Sequence, residues 1–321
     1  MPPPTQAAGD ASIKPLVLLA DPLIPEFEEE LSPRYRLLPV AGADAAAAAS
    51  ARALLTVDLP AVTASLIAEL PALELVVASS VGVDHIDLAA CRRRGIRVTN
   101  AGAAFSADAA DYAVGLAVAA LRRVAAADAY VRRGGWAGHG DYPLAAKLSG
   151  KRVGIVGLGR IGTLVARRLA AFGCAVSYSS RSAKAAAPYR FVAAVRELAA
   201  ESDVLVLSCA LTAETRRVVD REVMEALGKS GVLVNVGRGG LVDEPELVRC
   251  LRDGVLGGAA LDVYENEPAV PPELMAMDNV VLSPHRAVLT AESLRGVRDL
   301  VAGNLDAFFA GRPLLSPVVS L

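Results

Sequence analysis

The sequence lacks several features that would point to particular classes of protein. Although 53% of its residues are hydrophobic, no apolar run reaches the roughly 18 charge-free residues of a membrane-spanning helix. The net charge is only −2, which argues against nucleic acid or an anionic membrane as a partner. The four cysteines form no C-x-x-C pair, which suits buried thiols in a reducing compartment. No metal site is expected, and only three histidines are available for acid–base chemistry.

Neither end of the chain carries a recognisable targeting signal. The first ten residues are rich in proline and alanine and are expected to be disordered, and they lack the basic start and apolar core of a secretory signal. The final Val319-Ser320-Leu321 lacks the basic residue of the peroxisomal S-K-L signal. We therefore expect a cytoplasmic protein, with a plastid as the alternative.

The most informative motif is a glycine-rich turn between a strand-like and a helix-like segment. Its residues are Gly157, Leu158, Gly159, Arg160, Ile161 and Gly162. This context is typical of a dinucleotide-binding fingerprint, in which the glycines allow a tight turn, close approach of a pyrophosphate, and packing of helix on strand. The N–H groups and dipole of the new helix favour phosphate. A chance glycine turn in another α/β protein is the alternative.

The segment after the next predicted strand bears on the type of dinucleotide. NAD-binding sites usually place an acidic residue here, which holds the ribose 2′-OH, but this chain has Ser180, Arg181 and Ser182. A guanidinium flanked by two hydroxyls suits a 2′-phosphate. The sequence thus predicts NADPH rather than NADH, the alternative being a solvated loop arginine.

Short apolar strands alternate with helical stretches, which is typical of α/β proteins with buried parallel sheets. Strands are predicted at 16–20, 54–57, 75–78 and 96–98, and then at 153–156, 175–178, 204–207, 232–235, 258–261 and 280–282. A long helix is predicted over 106–133, with Ser106 as its cap and Asp108 in its first turn, and another over 291–310. The alanine-rich 43–49 is interpreted as a short helix, or else a solvent loop.

These elements predict two Rossmann-like or flavodoxin-like α/β domains with parallel sheets and an active-site cleft between them. The dinucleotide-binding domain would span 104–284. The substrate-binding domain would be discontinuous, formed by 1–103 and 285–321.

Three side chains with complementary chemistry each fall just beyond a predicted strand of the second set: Arg238, Glu267 and His285. Ligands bind at the carboxyl ends of parallel strands, so the three side chains can converge. Arg238 offers a planar cation for a carboxylate and carbonyl, and His285 offers a proton to a forming alkoxide. Glu267 would orient the histidine and favour its charged form. This trio suits hydride transfer to a 2-oxo acid, although a lone histidine is more often a surface or core residue.

The chain resembles the D-2-hydroxyacid dehydrogenase family over nearly its whole length. The motifs in the family's order are 157–162, 235–239, Leu261-Asp262-Val263-Tyr264, Asn266-Glu267-Pro268 and Pro284-His285. The resemblance implies that Arg238 binds substrate and polarises its carbonyl, that His285 paired with Glu267 is the proton donor, and that Asp262 orients the nicotinamide. It adds Val236 and Gly237 as cofactor contacts, and Val81 and Gly82 as holders of the substrate carboxylate.

Within the family, the chain is most similar to the plant hydroxyphenylpyruvate and hydroxypyruvate (glyoxylate) reductases. The resemblance implies an NADPH-dependent homodimer that reduces small 2-oxo acids to D-2-hydroxy acids. Trp136 matches a tryptophan near the dimer contact, where a neighbouring subunit can border the substrate pocket; the alternative is a core or interface tryptophan without substrate contact. In many members of the family small residues follow the histidine, whereas this chain has Arg286 there. Four alternatives are open for its side chain: it narrows the pocket, adds a carboxylate contact, competes for Glu267, or points to solvent.

Two other functions are compatible with part of this pattern. A dinucleotide-sensing, corepressor-like interaction protein could retain the same residues. A phosphoglycerate or formate dehydrogenase relative is another enzyme of the same type, but the chain has neither an acidic residue after the second strand of the nucleotide domain nor a long C-terminal extension.

Overall fold

The computed structural model describes residues 14–318. The first ten residues, for which disorder is expected, and the final Val319-Ser320-Leu321 lie outside the described range. The chain divides into two compact units. Unit 1 consists of Met1–Gly102 with Leu294–Leu321, and unit 2 is Ala103–Ser293.

Unit 1 contains a parallel sheet with the strand order β2-β1-β3-β4-β5, which is the flavodoxin-like order. Its strands are β1 (Leu16–Leu19), β2 (Arg36–Pro39), β3 (Ala53–Thr56), β4 (Leu75–Ala78) and β5 (Arg97–Thr99). Its helices are α1 (Pro25–Leu31), α2 (Ala45–Ser50), α3 (Ala64–Glu69) and α4 (Leu88–Arg93). The alanine-rich tract is therefore a helix, capped by the Asp44 carboxylate. The C-terminal segment joins this unit, since Val318 N–H donates to the Val98 carbonyl.

Unit 2 contains a second parallel sheet with the order β12-β11-β10-β9-β6-β7-β8. Its strands are β6 (Arg152–Val156), β7 (Ala175–Ser179), β8 (Arg190–Phe191), β9 (Val204–Leu207), β10 (Val232–Asn235), β11 (Gly258–Leu261) and β12 (Val280–Leu282). Chain order reverses between β6 and β9, which is the switch point at which dinucleotides bind in Rossmann folds. The two predicted parallel-sheet α/β domains are confirmed.

Helices cover both faces of the second sheet. The helices of unit 2 that precede α13 (Ala291–Phe309) are α5 (Ser106–Arg122), α6 (Val124–Arg132), α7 (Gly135–His139), α8 (Arg160–Ala171), α9 (Val195–Ala200), α10 (Arg221–Leu227), α11 (Glu244–Arg252) and α12 (Pro272–Met275). Alternate residues of β9 face opposite sides: Val204 and Val206 join a core with α5 and α8, whereas Leu205 and Leu207 join a core with α9, α10 and α11. The near-continuous apolar strands reflect this burial on both faces.

The long helix predicted over 106–133 is interrupted. Arg123 adopts a left-handed conformation (φ 52°) between α5 and α6. The predicted cap is also wrong, because Phe105 holds the N-cap position and the Ser106 hydroxyl is buried, without a hydrogen-bond partner among residues 14–318. Asp108 does lie in the first turn, where a carboxylate is favoured by the helix dipole.

The division between the units differs from the sequence-based boundary. Residues 285–293 stay with unit 2 because backbone N–H groups of this segment donate to Asp262, and the Thr290 hydroxyl donates to Asp108. The break falls instead within α13 (Ala291–Phe309). Among residues 14–318, no helix is both long and apolar enough to cross a membrane; the cellular compartment stays a prediction.

Candidate active site

The glycine turn between β6 and α8 is shaped by close backbone packing. Gly157 has a φ of +98°, and a Cβ atom there would lie 2.6 Å from the backbone nitrogen of Cys209, just beyond β9. A Cβ atom at Gly162 would lie 2.0 Å from the Gly157 carbonyl oxygen. The first and third glycines are therefore required by the fold itself.

The second glycine of the motif has a different environment. A Cβ atom at Gly159 would meet nothing within 4 Å, and its φ of −83° is accessible to any residue. Gly159 is the N-cap of α8, and no side chain of the described residues caps this helix. Open space before an uncapped helix N-terminus fits the pyrophosphate of a dinucleotide. Leu158 is buried below the turn, and Arg160 and Ile161 begin α8.

Alanine substitution at Gly162 and Gly159 should separate fold from ligand binding. We expect Gly162→Ala to destabilise the protein by about 1–3 kcal/mol because its methyl group collides with backbone. Gly159→Ala, the matched control, should lose only the roughly 0.5–1 kcal/mol that alanine costs at an N-cap but bind dinucleotide more weakly, because the methyl group enters the space of the phosphates. Urea unfolding and cofactor titration measure the two effects. Equal loss of stability in both variants would contradict this assignment.

The residues predicted to bind the 2′-phosphate, Ser180, Arg181 and Ser182, follow β7 at the same edge of the sheet. Arg181 and Ser182 are exposed, and the Ser180 hydroxyl donates to the Ser182 carbonyl at 2.7 Å. The Arg181 guanidinium forms no ion pair within residues 14–318, although its charge contributes to holding the pKa of Glu214 below its ordinary value, where the main cause is the hydrogen bond from Thr212. A solvent-facing guanidinium at this edge is available to an incoming phosphate.

Arg238 lies in a turn after β10 that is held from within by Asn235. The Asn235 side chain is 1% exposed; it accepts from the Gly237 N–H at 3.0 Å and donates to the Arg238 carbonyl at 2.9 Å. Val236, between them, is buried. This arrangement fixes the backbone from which the half-buried Arg238 side chain extends, and a guanidinium Nη atom donates to the Gly237 carbonyl.

His285 and Glu267 form a direct pair. The Nδ1 atom of His285 lies 2.7 Å from a carboxylate oxygen of Glu267, and the other carboxylate oxygen accepts from the Tyr264 backbone N–H at 2.9 Å. Because Glu267 occupies Nδ1, the Nε2 atom remains for a substrate. Both side chains are about one-third exposed, so the ring is supported on one side and accessible on the other.

The electrostatics of Glu267 favour its ionised form. Burial alone would raise the pKa of this carboxyl group, but the hydrogen bonds from His285 and the Tyr264 backbone, with the charges of His285 and Arg238, hold the pKa below its ordinary value. The contribution of Arg238 means that its guanidinium acts on the pair electrostatically. The structure therefore brings all three predicted side chains to one edge of the same sheet.

Gly239 and Tyr264 lie in motifs that the sequence analysis identified, but their supporting contacts were not predicted. A Cβ atom at Gly239 would lie 1.9 Å from the Tyr264 carbonyl group, so the Arg238 turn packs directly on the segment that holds Glu267. The buried Tyr264 hydroxyl lies 3.1 Å from the Leu261 carbonyl oxygen and 3.0 Å from that of Ser283. Its burial raises its pKa to about 12, so it stays a donor. The close glycine contact is invisible without the fold.

The other predicted site residues are Asp262 in unit 2 and Val81 and Gly82 in unit 1. Asp262 follows β11 and is 1% exposed. Val81 and Gly82 lie in unit 1 after β4, where the Asn100 side chain donates to the Val81 carbonyl and the Ser80 hydroxyl to that of Gly82. Their part in carboxylate binding stays a prediction.

The structure narrows the alternatives that the sequence leaves open for Arg286 and Trp136. Arg286 is exposed, and it forms no ion pair with Glu267 or with another acid among residues 14–318, so competition for Glu267, one of the four alternatives, is not observed. Trp136 in α7 is 63% exposed, which excludes a core position within this chain.

Comparison with known proteins places this site in a family. Residues 114–287, more than half of the chain, match the NAD binding domain of D-isomer specific 2-hydroxyacid dehydrogenases. The chain belongs to this family. A glyoxylate/hydroxypyruvate reductase of Arabidopsis thaliana is 55% identical over 319 residues, covering 97% of this chain and 99% of the relative. The hydroxyphenylpyruvate reductase of Plectranthus scutellarioides is 50% identical over 309 residues, covering 94% and 98%.

A solved structure is similar across both units of this dehydrogenase. The NADPH-dependent glyoxylate/hydroxypyruvate reductase from Sinorhizobium meliloti, in complex with NADP and malonate, has a TM-score of 0.90 at 36% identity and covers 95% of this chain and 97% of its own. The protein is therefore an oxidoreductase of the D-2-hydroxyacid dehydrogenase family, and these three relatives favour an enzyme over the corepressor-like alternative.

Proposed function

We propose that this dehydrogenase uses NADPH to reduce small 2-oxo acids to D-2-hydroxy acids. The observation that carries the proposal is the 2.7 Å contact between His285 and Glu267, within electrostatic range of Arg238. The family relationship supports 2-oxo acid reduction, because the plant relatives are glyoxylate/hydroxypyruvate and hydroxyphenylpyruvate reductases. Hydroxypyruvate, glyoxylate and 4-hydroxyphenylpyruvate are therefore the substrates to test.

The residues of the site divide the work of the reaction. The bound cofactor would supply the hydride to the carbonyl carbon. Arg238 would bind the substrate carboxylate and polarise the carbonyl through its planar donors. His285, with Nδ1 held by Glu267, would give the proton on Nε2 to the oxygen as negative charge develops there. Glu267, ionised, would stabilise the imidazolium before transfer.

The direct test is turnover of NADPH with a panel of 2-oxo acids, followed by the loss of nicotinamide absorbance and by chiral analysis of the product. We expect a D-2-hydroxy acid from at least one of the three substrates. Absence of turnover with all of them, while NADPH still binds, would remove the proposal and leave a dinucleotide-binding role.

The preference for NADPH depends on Arg181. We expect Arg181→Ala to weaken NADPH binding by roughly 10- to 100-fold, the value of one or two lost charge-assisted hydrogen bonds, and to leave NADH binding unchanged. The matched control is Arg252→Ala at the exposed C-terminal end of α11, where Arg252 forms an ion pair with Asp253. Fluorescence titration with both cofactors gives the result. An equal loss for NADPH and NADH, or no loss, would show that Arg181 does not select the 2′-phosphate.

We also propose that the enzyme is a homodimer. From the start of α6 to the start of β6, unit 2 exposes several large apolar side chains. Exposed apolar surface of this kind is typical of protein–protein contacts. The side chains are Val124, Val131, Trp136 and Leu144, with exposed fractions of 51%, 54%, 63% and 100%. Sedimentation equilibrium of the full chain tests the proposal, and a monomer at micromolar concentration would refute it.

A further inference from the structure

The buried carboxylate of Asp262 is fully engaged by the segment that carries His285. One of its oxygens accepts from the Ser283 hydroxyl at 2.6 Å and from the Arg286 backbone N–H at 2.8 Å. Its other oxygen accepts from the Ala287 backbone N–H at 2.8 Å. Asp262 thus binds the chain on both sides of the histidine, and the residue is only 1% exposed.

The backbone at His285 explains why such a clamp is needed. His285 has a φ of +52°, a left-handed conformation that residues other than glycine rarely adopt and that persists only when the surroundings enforce it. The Asp262 carbonyl oxygen accepts from the His285 N–H at 2.8 Å. With the three side-chain bonds, Asp262 therefore contacts the turn at four points.

We propose that Asp262 is a positioning residue that fixes the turn of His285, so that its ring meets Glu267 through Nδ1 and presents Nε2 to the substrate. The inference rests on the proposed role of His285 as proton donor. It differs from the expectation that Asp262 acts by orienting the nicotinamide, because here its effect reaches the reaction through the histidine.

A carboxylate is required at this position because both of its oxygens accept hydrogen bonds, whereas an amide has only one acceptor oxygen. Three donors converge on two oxygens, whereas an asparagine carries one acceptor oxygen and an NH₂ group that is itself a donor. In Asp262→Asn, either rotamer of the amide places its NH₂ against at least one backbone N–H group. That N–H group loses its hydrogen-bond partner, and the turn is then held by fewer hydrogen bonds.

Asp262→Asn should therefore impair catalysis without impairing cofactor binding. We expect kcat to fall on the order of 10- to 100-fold, the effect of a misplaced catalytic group, while the NADPH dissociation constant stays within about twofold of wild type. The matched control is Asp220→Asn, since Asp220 caps α10 and asparagine caps equally well. Weaker NADPH binding with kcat restored at saturation would overturn the proposal in favour of a cofactor contact.

The scarcity of histidine permits a readout that does not depend on turnover. With three histidines in the chain, a long-range ¹H–¹⁵N NMR spectrum of histidine-labelled protein resolves each imidazole, and His285→Gln assigns the signal of interest. We expect Asp262→Asn to shift the ¹⁵N resonances of His285 and to leave those of His85 and His139 in place. Unchanged His285 resonances would overturn the proposal. A wild-type enzyme without turnover would instead refute the proposed function, and the NMR result would still stand.

Ser283→Ala provides a second variant if Asp262→Asn does not fold. It deletes one of the three donors without leaving an unpaired N–H group. We expect a several-fold lower kcat, unchanged NADPH affinity and a smaller shift of the His285 resonances in the same direction. Wild-type kcat together with wild-type His285 resonances would overturn the proposal.

Discussion

Replacing His285 with alanine should lower kcat for reduction of a 2-oxo acid by about 10²- to 10⁴-fold, the usual contribution of a positioned proton donor. The variant should bind NADPH normally, because the ring is hydrogen-bonded to Glu267 at 2.7 Å and the glycine turn lies elsewhere on the sheet edge. Stopped-flow reduction kinetics and cofactor titration measure the two quantities. Turnover close to wild type would eliminate His285 as the acid.

The pH dependence gives an independent check on the same assignment. His285 is the proposed proton donor, so the pH profile of kcat/KM for reduction should depend on its side chain. The Glu267 pKa is held below its ordinary value, so its carboxylate persists as the pH falls through the range where a glutamate normally takes up a proton. We therefore expect kcat/KM to be maintained as the pH falls through that range, and His285→Ala to change the profile. His139→Ala, exposed in α7, is the control that should keep the wild-type profile.

Replacing Arg238 with alanine should raise KM and lower kcat together. A bidentate guanidinium contact with a carboxylate or carbonyl, lost in both ground and transition states, corresponds to a fall in kcat/KM of about 10²- to 10⁴-fold, or about 3–5 kcal/mol. Arg238→Lys keeps the charge but not the planar fork, so it should recover only part of the loss. Steady-state kinetics with glyoxylate and hydroxypyruvate separate the two parameters.

A rise in KM with unchanged kcat would contradict this role for Arg238, because it would mean that the residue binds substrate without polarising its carbonyl. Protein stability should change little, since the turn is held by the Asn235 side chain rather than by the arginine. Thermal unfolding of Arg238→Ala would therefore separate a lost contact from a lost fold.

Most strands could be predicted because their signal is local. A strand buried on both faces, such as β9, is an unbroken apolar run, and the glycine motif contains both the turn and its flanking elements within a few residues. The strands that escaped prediction lie at sheet edges: β2 has exposed ends, and β8 spans only Arg190–Phe191. Edge strands are buried on fewer sides, so they carry a weaker apolar pattern.

Other features depended on contacts between distant parts of the chain. Nothing near Arg123 signals a helix break, since residues 116–133 contain neither glycine nor proline, yet Arg123 is left-handed. Asp262 could be related to a nicotinamide by motif, but its bonds to Ser283, Arg286 and Ala287 join residues 21 to 25 positions apart.

The sequence by itself determined the two parallel-sheet units, the glycine turn and the chemical identities of Arg238, Glu267 and His285, because strand periodicity, glycine spacing and functional groups are local properties. Only the tertiary structure decided that His285 takes a left-handed conformation, that its Nδ1 atom meets Glu267, and that Asp262 clamps the turn. These outcomes depend on how β11 and β12 align in one sheet, and that alignment is set by packing across the whole unit rather than by neighbouring residues.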